Sequence, residues 1–270
     1  MSGRTVARVA SATFRESVRD RALYGLVAFA VLLITASLFI AQLTAGQDLK
    51  IVKDLGLAAM SLIGLFIAVF IGAGLVWKEI DRRTIYSLLA KPIRRSELLV
   101  GKYAGLVLTL LANLALMAAT VYLVLAWLSW AQPAPVQRAL EAPALDPRLL
   151  VAMLLIFVEL AVVVALALFF STFASPFSAA GFTLALFVAG QFSADLRHLR
   201  AVLDSPAAAA LATALYYELP DFTLFDVKAA VVLGHSVGRG YMALAATYGA
   251  SYVVGLLLLS VIVFSRRDLK

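Results

Sequence analysis

"LLVAMLLIFVELAVVVALALFFSTFASPFSAAGFTLALFVAGQFSA", residues 149–194, runs for 46 residues with a single ionisable side chain, Glu159. A bilayer core about 30 Å thick is crossed by about 20 helical residues, so this stretch is twice as long as one span needs. It must fold back on itself. The break is readable at "STFASPFS", Ser171–Ser178, where Pro176 disfavours a helical Ser175 and small polar residues can end one helix and start another. Two spans result, about 149–171 and 177–194.

Working outward, four more uncharged stretches appear: 22–47 between Arg21 and Asp48, 55–77 between Asp54 and Lys78, 103–137 between Lys102 and Arg138, and 240–265 between Arg239 and Arg266. Each holds one helix, at about 22–42, 55–76, 103–128 and 240–264. The prediction is an all-α polytopic membrane protein with six transmembrane helices, forming a single transmembrane domain over 1–270. Composition agrees, with 63% hydrophobic and 14% charged residues, where soluble proteins carry about a quarter charged. The first apolar run is too long for a signal-peptide core and lacks a clear cleavage site, so it is expected to stay as a helix. The absence of cysteine removes disulfides, thiolate metal sites and cysteine nucleophiles.

Lys and Arg concentrate on the cytoplasmic side of membrane proteins. With the N-terminus inside, the inner pieces are the N-terminal arm, residues 77–102 and the C-terminal tail, and they hold fifteen of the 23 Lys and Arg. Six spans then put both termini in the cytoplasm. The basic excess reads as topology plus anionic membrane lipid, not as nucleic-acid binding, which would want a soluble basic domain. At about 100° per residue, Arg4, Arg8, Arg15 and Arg19 fall within an arc of roughly 60°, with Val6, Val9, Ala10 and Thr13 opposite. Residues 1–21 are therefore expected to form an amphipathic interfacial helix, or else a basic leader that only fixes orientation.

Between the second and third spans lies "WKEIDRRTIYSLLAKPIRRSELLVGK", Trp77–Lys102, the most charged stretch of the chain. Ile80, Thr84, Ile85, Leu88 and Leu89 recur at the spacing of one helical face, ended by Lys91-Pro92, while Glu79, Arg82, Arg83 and Ser87 fill the other face. Topology alone accounts for the basic residues. Acids Glu79, Asp81 and Glu97 within the same segment suit docking to a protein partner better than docking to anionic lipid.

"KEIDRRTIYSLLAKPIRRSELLVGKYAG" resembles the loop between the second and third spans of ABC transporter permeases of the ABC-2 type. The shared features are Glu79, Thr84, Leu88-Leu89, Pro92-Ile93-x-Arg95 and Gly101-Lys102. "RRTIYSLLAKPIRR" is closest in wording to the branch named for maturation of multi-copper enzymes. "ELPDFTLFDVK" from Glu218 and the terminal "FSRRDLK" from Phe264 agree with the same family.

The resemblance implies that this loop is a coupling element resting on a separate ATP-binding subunit, with Lys78, Glu79, Asp81, Arg82, Arg83, Thr84, Tyr86, Lys91, Pro92, Arg94 and Arg95 as contact residues. The turn at Thr172, Ser175 and Pro176 would make a second, smaller contact. It further implies an exporter of the cell inner membrane with two permease chains, identical or not, and two ATPases, ATP and Mg being bound by the partner. In this family, short helices within the outer loop, 195–239 here, close the mouth of the pathway.

The residues themselves give no ATP site. A Walker A loop would need Gly at position 96 and Ser or Thr at 103, where this chain has Ser96 and Tyr103. His198 and His235 lack metal-ligand spacing, and "GHSVG" from Gly234 lacks the order of a nucleophile elbow. Neither a catalytic residue nor a metal or other cofactor is expected in this chain. Glu159, alone at membrane depth, either lines a route for substrate or protons or pairs with a neighbouring helix, through Asn113 or Gln191. Two other classes of function stay open on the residues alone: an ion-coupled secondary transporter using Glu159, and a non-transporting membrane scaffold.

Overall fold

A computed structural model describes residues 3–42, 48–81, 94–131, 143–193 and 219–266, with side chains given for all of these except 42, 75–81 and 266. The described residues form helices α1 (Gly3–Val18), α2 (Arg21–Gln42), α3 (Asp48–Asp81), α4 (Arg95–Ala131), α5 (Arg148–Ser171) and α6 (Pro176–Gln191). A 3-10 turn (Thr223–Phe225) and the short α7 (Lys228–Val232) precede the last helix, α8 (Arg239–Arg266). No strand occurs among them.

Five of these helices, α2, α3, α4, α5 and α8, are long and apolar enough to cross a membrane. The sixth expected span is α6, whose 16 residues rise about 24 Å, less than the roughly 30 Å of hydrocarbon. It ends at Gln191, with Phe192 as its C-cap, short of the expected 194. The fold is that of an all-α polytopic membrane protein.

The chain reverses where the sequence says it must. α5 ends at Ser171, where the Thr172 N–H donates to the Phe169 carbonyl and the Phe173 and Ala174 N–H groups to that of Phe170. Ser175 turns extended, its Oγ accepts from the Ser178 N–H at 3.4 Å, and Pro176 opens α6 at a position where no intrahelical N–H is required. Asp20 does the same work between α1 and α2, its Oδ1 accepting from the Ala22 N–H at 3.0 Å.

α5 is the axis of the bundle. It packs against α3, α4, α6 and α8, and the consecutive residues Leu160 to Leu168 are all buried, as expected of a helix apolar on every side. α2 covers α3 and α4 from one flank. α8 lies on α5 and α4 and is the least buried of the five long helices. Outward-facing Leu32, Phe39, Leu123, Trp127 and Leu258 would be a liability in water and are ordinary against lipid.

Contacts sort the helix ends into two sets. At one end lie α1, the end of α3, the start of α4, the end of α5, the start of α6 and the end of α8. The far end holds residues 143–147, the segment 219–238 and the start of α8, where buried Lys53 donates to the Pro143 carbonyl at 2.9 Å and the Tyr122 hydroxyl to the Asp146 carbonyl at 3.0 Å.

At the near end α1 lies on α4. Val6, Val9, Ala10, Thr13 and Ser17 recur every three or four residues and are the covered face, while Arg4, Arg8 and Arg15 are exposed. The contact is possible because α4 offers glycine. A Cβ on Gly101 would come 2.7 Å from Val9 Cβ, and one on Gly105 would come 2.6 Å from the Ala10 carbonyl oxygen. The amphipathic helix expected over 1–21 is thus present, and its apolar face is turned to protein.

Candidate functional site

α3 has 34 residues and α4 has 37, more than a bilayer requires. With the apolar part of α4 beginning near residue 103, its first eight residues carry the helix about 12 Å past the membrane-spanning part. The two ends of the charged stretch, 77–81 and 95–102, are therefore the last turn of α3 and the first turns of α4. Lys78, Glu79 and Asp81 fall in the last turn of α3. Arg82, Arg83, Thr84, Tyr86, Lys91 and Pro92, with the short amphipathic helix predicted there, lie outside the described residues.

The described remainder of the stretch does not form one charged surface. Arg94 is exposed, whereas Arg95 turns inward. Its Nη1 donates to the carbonyls of Phe264, at 2.8 Å, and Ser265, at 3.0 Å, and its guanidinium lies 5.6 Å from the centre of the Phe264 ring. Glu97 and Lys102, which the sequence groups with the loop charges, are buried in the first turns of α4. Nothing in the charge pattern separates neighbours such as Arg94 and Arg95, because the carbonyls that hold Arg95 arrive from 169 residues away.

The second turn also divides. Thr172 is buried, and its Oγ1 donates to the Phe169 carbonyl at 2.7 Å, so its side chain stabilises the end of α5. Ser175 and Pro176 are half-buried and occupied in starting α6. The exposed chemistry of the turn is aromatic: Phe173 and, at 91% exposure, Phe177. Sequence reading passed over both, since two phenylalanines beside an apolar span look like more of the span.

Of the polar residues at membrane depth, Glu159 and Gln191 meet. Gln191 Nε2 donates to Glu159 Oε1 at 2.8 Å, joining α5 to α6, and Glu159 is 2% exposed. Asn113 takes no part. Its Nδ2 donates along its own helix to the Thr109 carbonyl at 2.7 Å.

The segment from Leu219 to Leu233 is the feature least legible in the sequence. It enters the far end of the bundle between α3, α5, α6 and α8. Phe222, Phe225 and Val231 are fully buried, so Phe222 belongs to the core.

Irregular backbone is tolerated at membrane depth only where protein satisfies its polar groups, and here it does. The Phe222 N–H donates to the Gly190 carbonyl at 3.3 Å, the Asp221 N–H to the Tyr248 hydroxyl at 2.7 Å, and the Tyr252 hydroxyl to the Leu219 carbonyl at 3.3 Å. Tyr241 donates to the Leu224 carbonyl at 2.7 Å and Lys228 Nζ to Ser61 Oγ at 3.4 Å. Gly190 is what allows the approach, since any Cβ there would overlap the Pro220 carbonyl oxygen and lie 2.5 Å from Phe222 Cδ2. Two signals could have found this arrangement: Phe222 and Phe225 three apart, and Tyr248 and Tyr252 four apart on one face of α8.

A search of curated proteins finds no match to the chain. The model of the family described as ABC-2 family transporter protein matches residues 7–199, well over half of the sequence, from α1 through the charged stretch and the α5–α6 reversal. The match does not single out the multi-copper enzyme branch. In this family the membrane subunit works with an ATP-binding subunit that carries the ATPase activity. Five helices long and apolar enough to cross a membrane, a sixth, shorter apolar helix and a family match over residues 7–199 lead to one statement: this chain belongs to the ABC-2 family of transporter proteins, as a permease subunit.

Proposed function

We propose that the chain is the membrane half of an ABC exporter of the cytoplasmic membrane, a single transmembrane domain that works as a dimer with two ATP-binding subunits. Both termini, α1 and the 77–102 stretch face the cytoplasm in this reading, which is the side that the fifteen inner Lys and Arg favour. ATP and Mg are bound by the partner. The partner's closure is received at the loop, chiefly by Lys78, Glu79, Asp81, Arg82, Arg83, Thr84, Tyr86, Lys91, Pro92 and Arg94, with the turn at Thr172–Pro176 as a second contact that presents Phe173 and Phe177.

The observation that carries this reading is the length of α3 and α4. α3 runs on to Asp81 and α4 starts at Arg95, so both helices continue beyond their apolar parts into the mixed-charge stretch that joins them, which suits the grip of a soluble subunit. Mixed charge gives orientation and partner choice. At the opposite end, the buried segment Leu219–Leu233 supports the role of a plug that keeps the outer mouth closed until the helices around it move. The Glu159–Gln191 hydrogen bond supports a joining role for Glu159 between α5 and α6, over the ion site of a secondary carrier.

The test is co-purification with the ATP-binding subunit encoded beside it, using the parent chain and a triple charge reversal at Glu79, Arg82 and Arg83. Loss of the complex and of stimulated ATP hydrolysis is expected. A triple variant that binds and stimulates like the parent would overturn the assignment of the loop.

A further inference from the structure

We propose that Arg95 ties the loop to the last helix, so that displacement of the loop by a partner is delivered to α8 as well as to α3 and α4. This rests on the reading of 77–102 as the partner-contacting loop and adds a route that reading does not contain. Arg95 is the first residue of α4, directly after the stretch that a partner would move.

Its Nη1 donates to the carbonyls of Phe264 and Ser265 in the last described turn of α8. The C-terminal turn of a helix carries the negative end of its dipole, which a guanidinium satisfies in charge and in direction. The Phe264 ring beneath the guanidinium adds a cation–π contact. That ring is itself fixed, 1% exposed, in a small core of its own with Leu99 of α4 and Leu168 of α5, bordered by Tyr103, Leu257 and Val261.

The start of α4, the end of α5 and the end of α8 are thereby joined at one point beside the loop. α8 is the least buried of the long helices, and this joint is one of the contacts that hold its near end. At its far end α8 bears Tyr241, Tyr248 and Tyr252, the hydroxyls that hold the plug. A push on the loop, passed through Arg95 to the end of α8, therefore reaches the residues that keep Leu219–Leu233 in place. Arg95 is a positioning residue in this scheme, with no contact of its own to cargo or nucleotide.

The chain lacks cysteine, which permits a single reporter. Arg239, exposed at the start of α8, is changed to Cys and labelled with bimane, and emission is followed as ATP and Mg are added to the complex with the ATP-binding subunit. The parent reporter chain is expected to respond. In Arg95→Gln, measured with the ATP-binding subunit at saturating concentration so that the complex is fully formed, the response falls by about threefold or more, the scale carried by residues within a coupling network. Arg95→Lys, which keeps the charge and one donor, recovers part of it.

A merely structural role would lower thermal stability in Arg95→Gln and leave the response of the folded complex at the parent level; that result overturns the proposal. Loss of the complex itself would make Arg95 a contact residue and overturn it equally. Should Arg95→Gln fail to fold, Phe264→Leu removes the ring under the guanidinium while keeping apolar bulk, and the same reduction is expected there. A parent chain that binds no ATP-binding subunit would sink the proposed function and this inference with it. A parent that responds, beside an Arg95→Gln that responds equally, sinks this inference alone.

Discussion

Gln191 Nε2 and Glu159 Oε1 stand 2.8 Å apart in the middle of the bundle and bind α5 to α6 on the far side of a reversal that occupies only residues 172–175. The two helices are thus held both at their shared turn and at the last residue of α6. A carboxyl group 2% exposed is tolerated there because a donor is brought to it.

Removing that donor while keeping the carboxyl should cost more than changing the carboxyl. Gln191→Leu leaves Glu159 without its side-chain donor and is expected to destabilise the protein by about 1–3 kcal/mol, the cost of an unsatisfied buried group. Glu159→Gln retains an oxygen acceptor in the same place and should cost less. Thermal unfolding of the purified chain in detergent, followed by tryptophan fluorescence, decides between them. Equal midpoints for Gln191→Leu and the parent would remove the interhelix role.

The α1–α4 contact depends on Gly105. Gly105→Val would push its branched side chain into the Ala10 carbonyl and Thr13, and the overpacking is expected to cost about 1–3 kcal/mol or to detach α1 altogether. Thr13→Cys reports which occurs. Buried in the parent, it should react slowly with a soluble maleimide and rapidly once Gly105→Val is added. Slow labelling in both would mean that α1 finds room without the glycine.

The far-end plug should loosen when its anchor is cut. Phe222→Ala empties a fully buried ring site beside Phe187 and Phe225, at a cost of about 3–5 kcal/mol for a core aromatic. With Val231→Cys as probe, buried in the parent, labelling from water should rise sharply in Phe222→Ala. A more conservative Phe222→Leu should fall between. Unchanged protection in Phe222→Ala would show that the segment is held by its hydrogen bonds alone.

Orientation can be read from two single cysteines. Arg15→Cys lies on the exposed face of α1 and Ser236→Cys on the exposed stretch before α8. In intact cells an impermeant maleimide is expected to label Ser236→Cys and to spare Arg15→Cys until the membrane is opened. The reverse pattern would invert the topology and with it the placement of the loop.

Much of the fold was legible because the bilayer restricts the choices. A backbone in hydrocarbon must satisfy itself within a helix, so uncharged length alone locates the spans, and Ser175 and Pro176 mark the reversal to the residue. α1 was legible too, since a period near 3.6 separates its arginines from Val6, Val9, Ala10 and Thr13. What covers that face was not, because Gly101 and Gly105 tell of a close approach without telling which helix makes it.

The sequence by itself determined where the apolar helices lie, the clusters of positive charge between them and the stretch set apart by mixed charge, all of them properties of local composition and period. Tertiary structure alone decided that Arg94 faces outward while Arg95 closes on Phe264 and Ser265, that Glu159 takes Gln191 and not Asn113, and that Phe222 is core. Each of those outcomes depends on a partner far away in the chain. A hydrogen bond or a ring contact is set by distances of a few ångströms between such partners, and no one-dimensional pattern carries that distance.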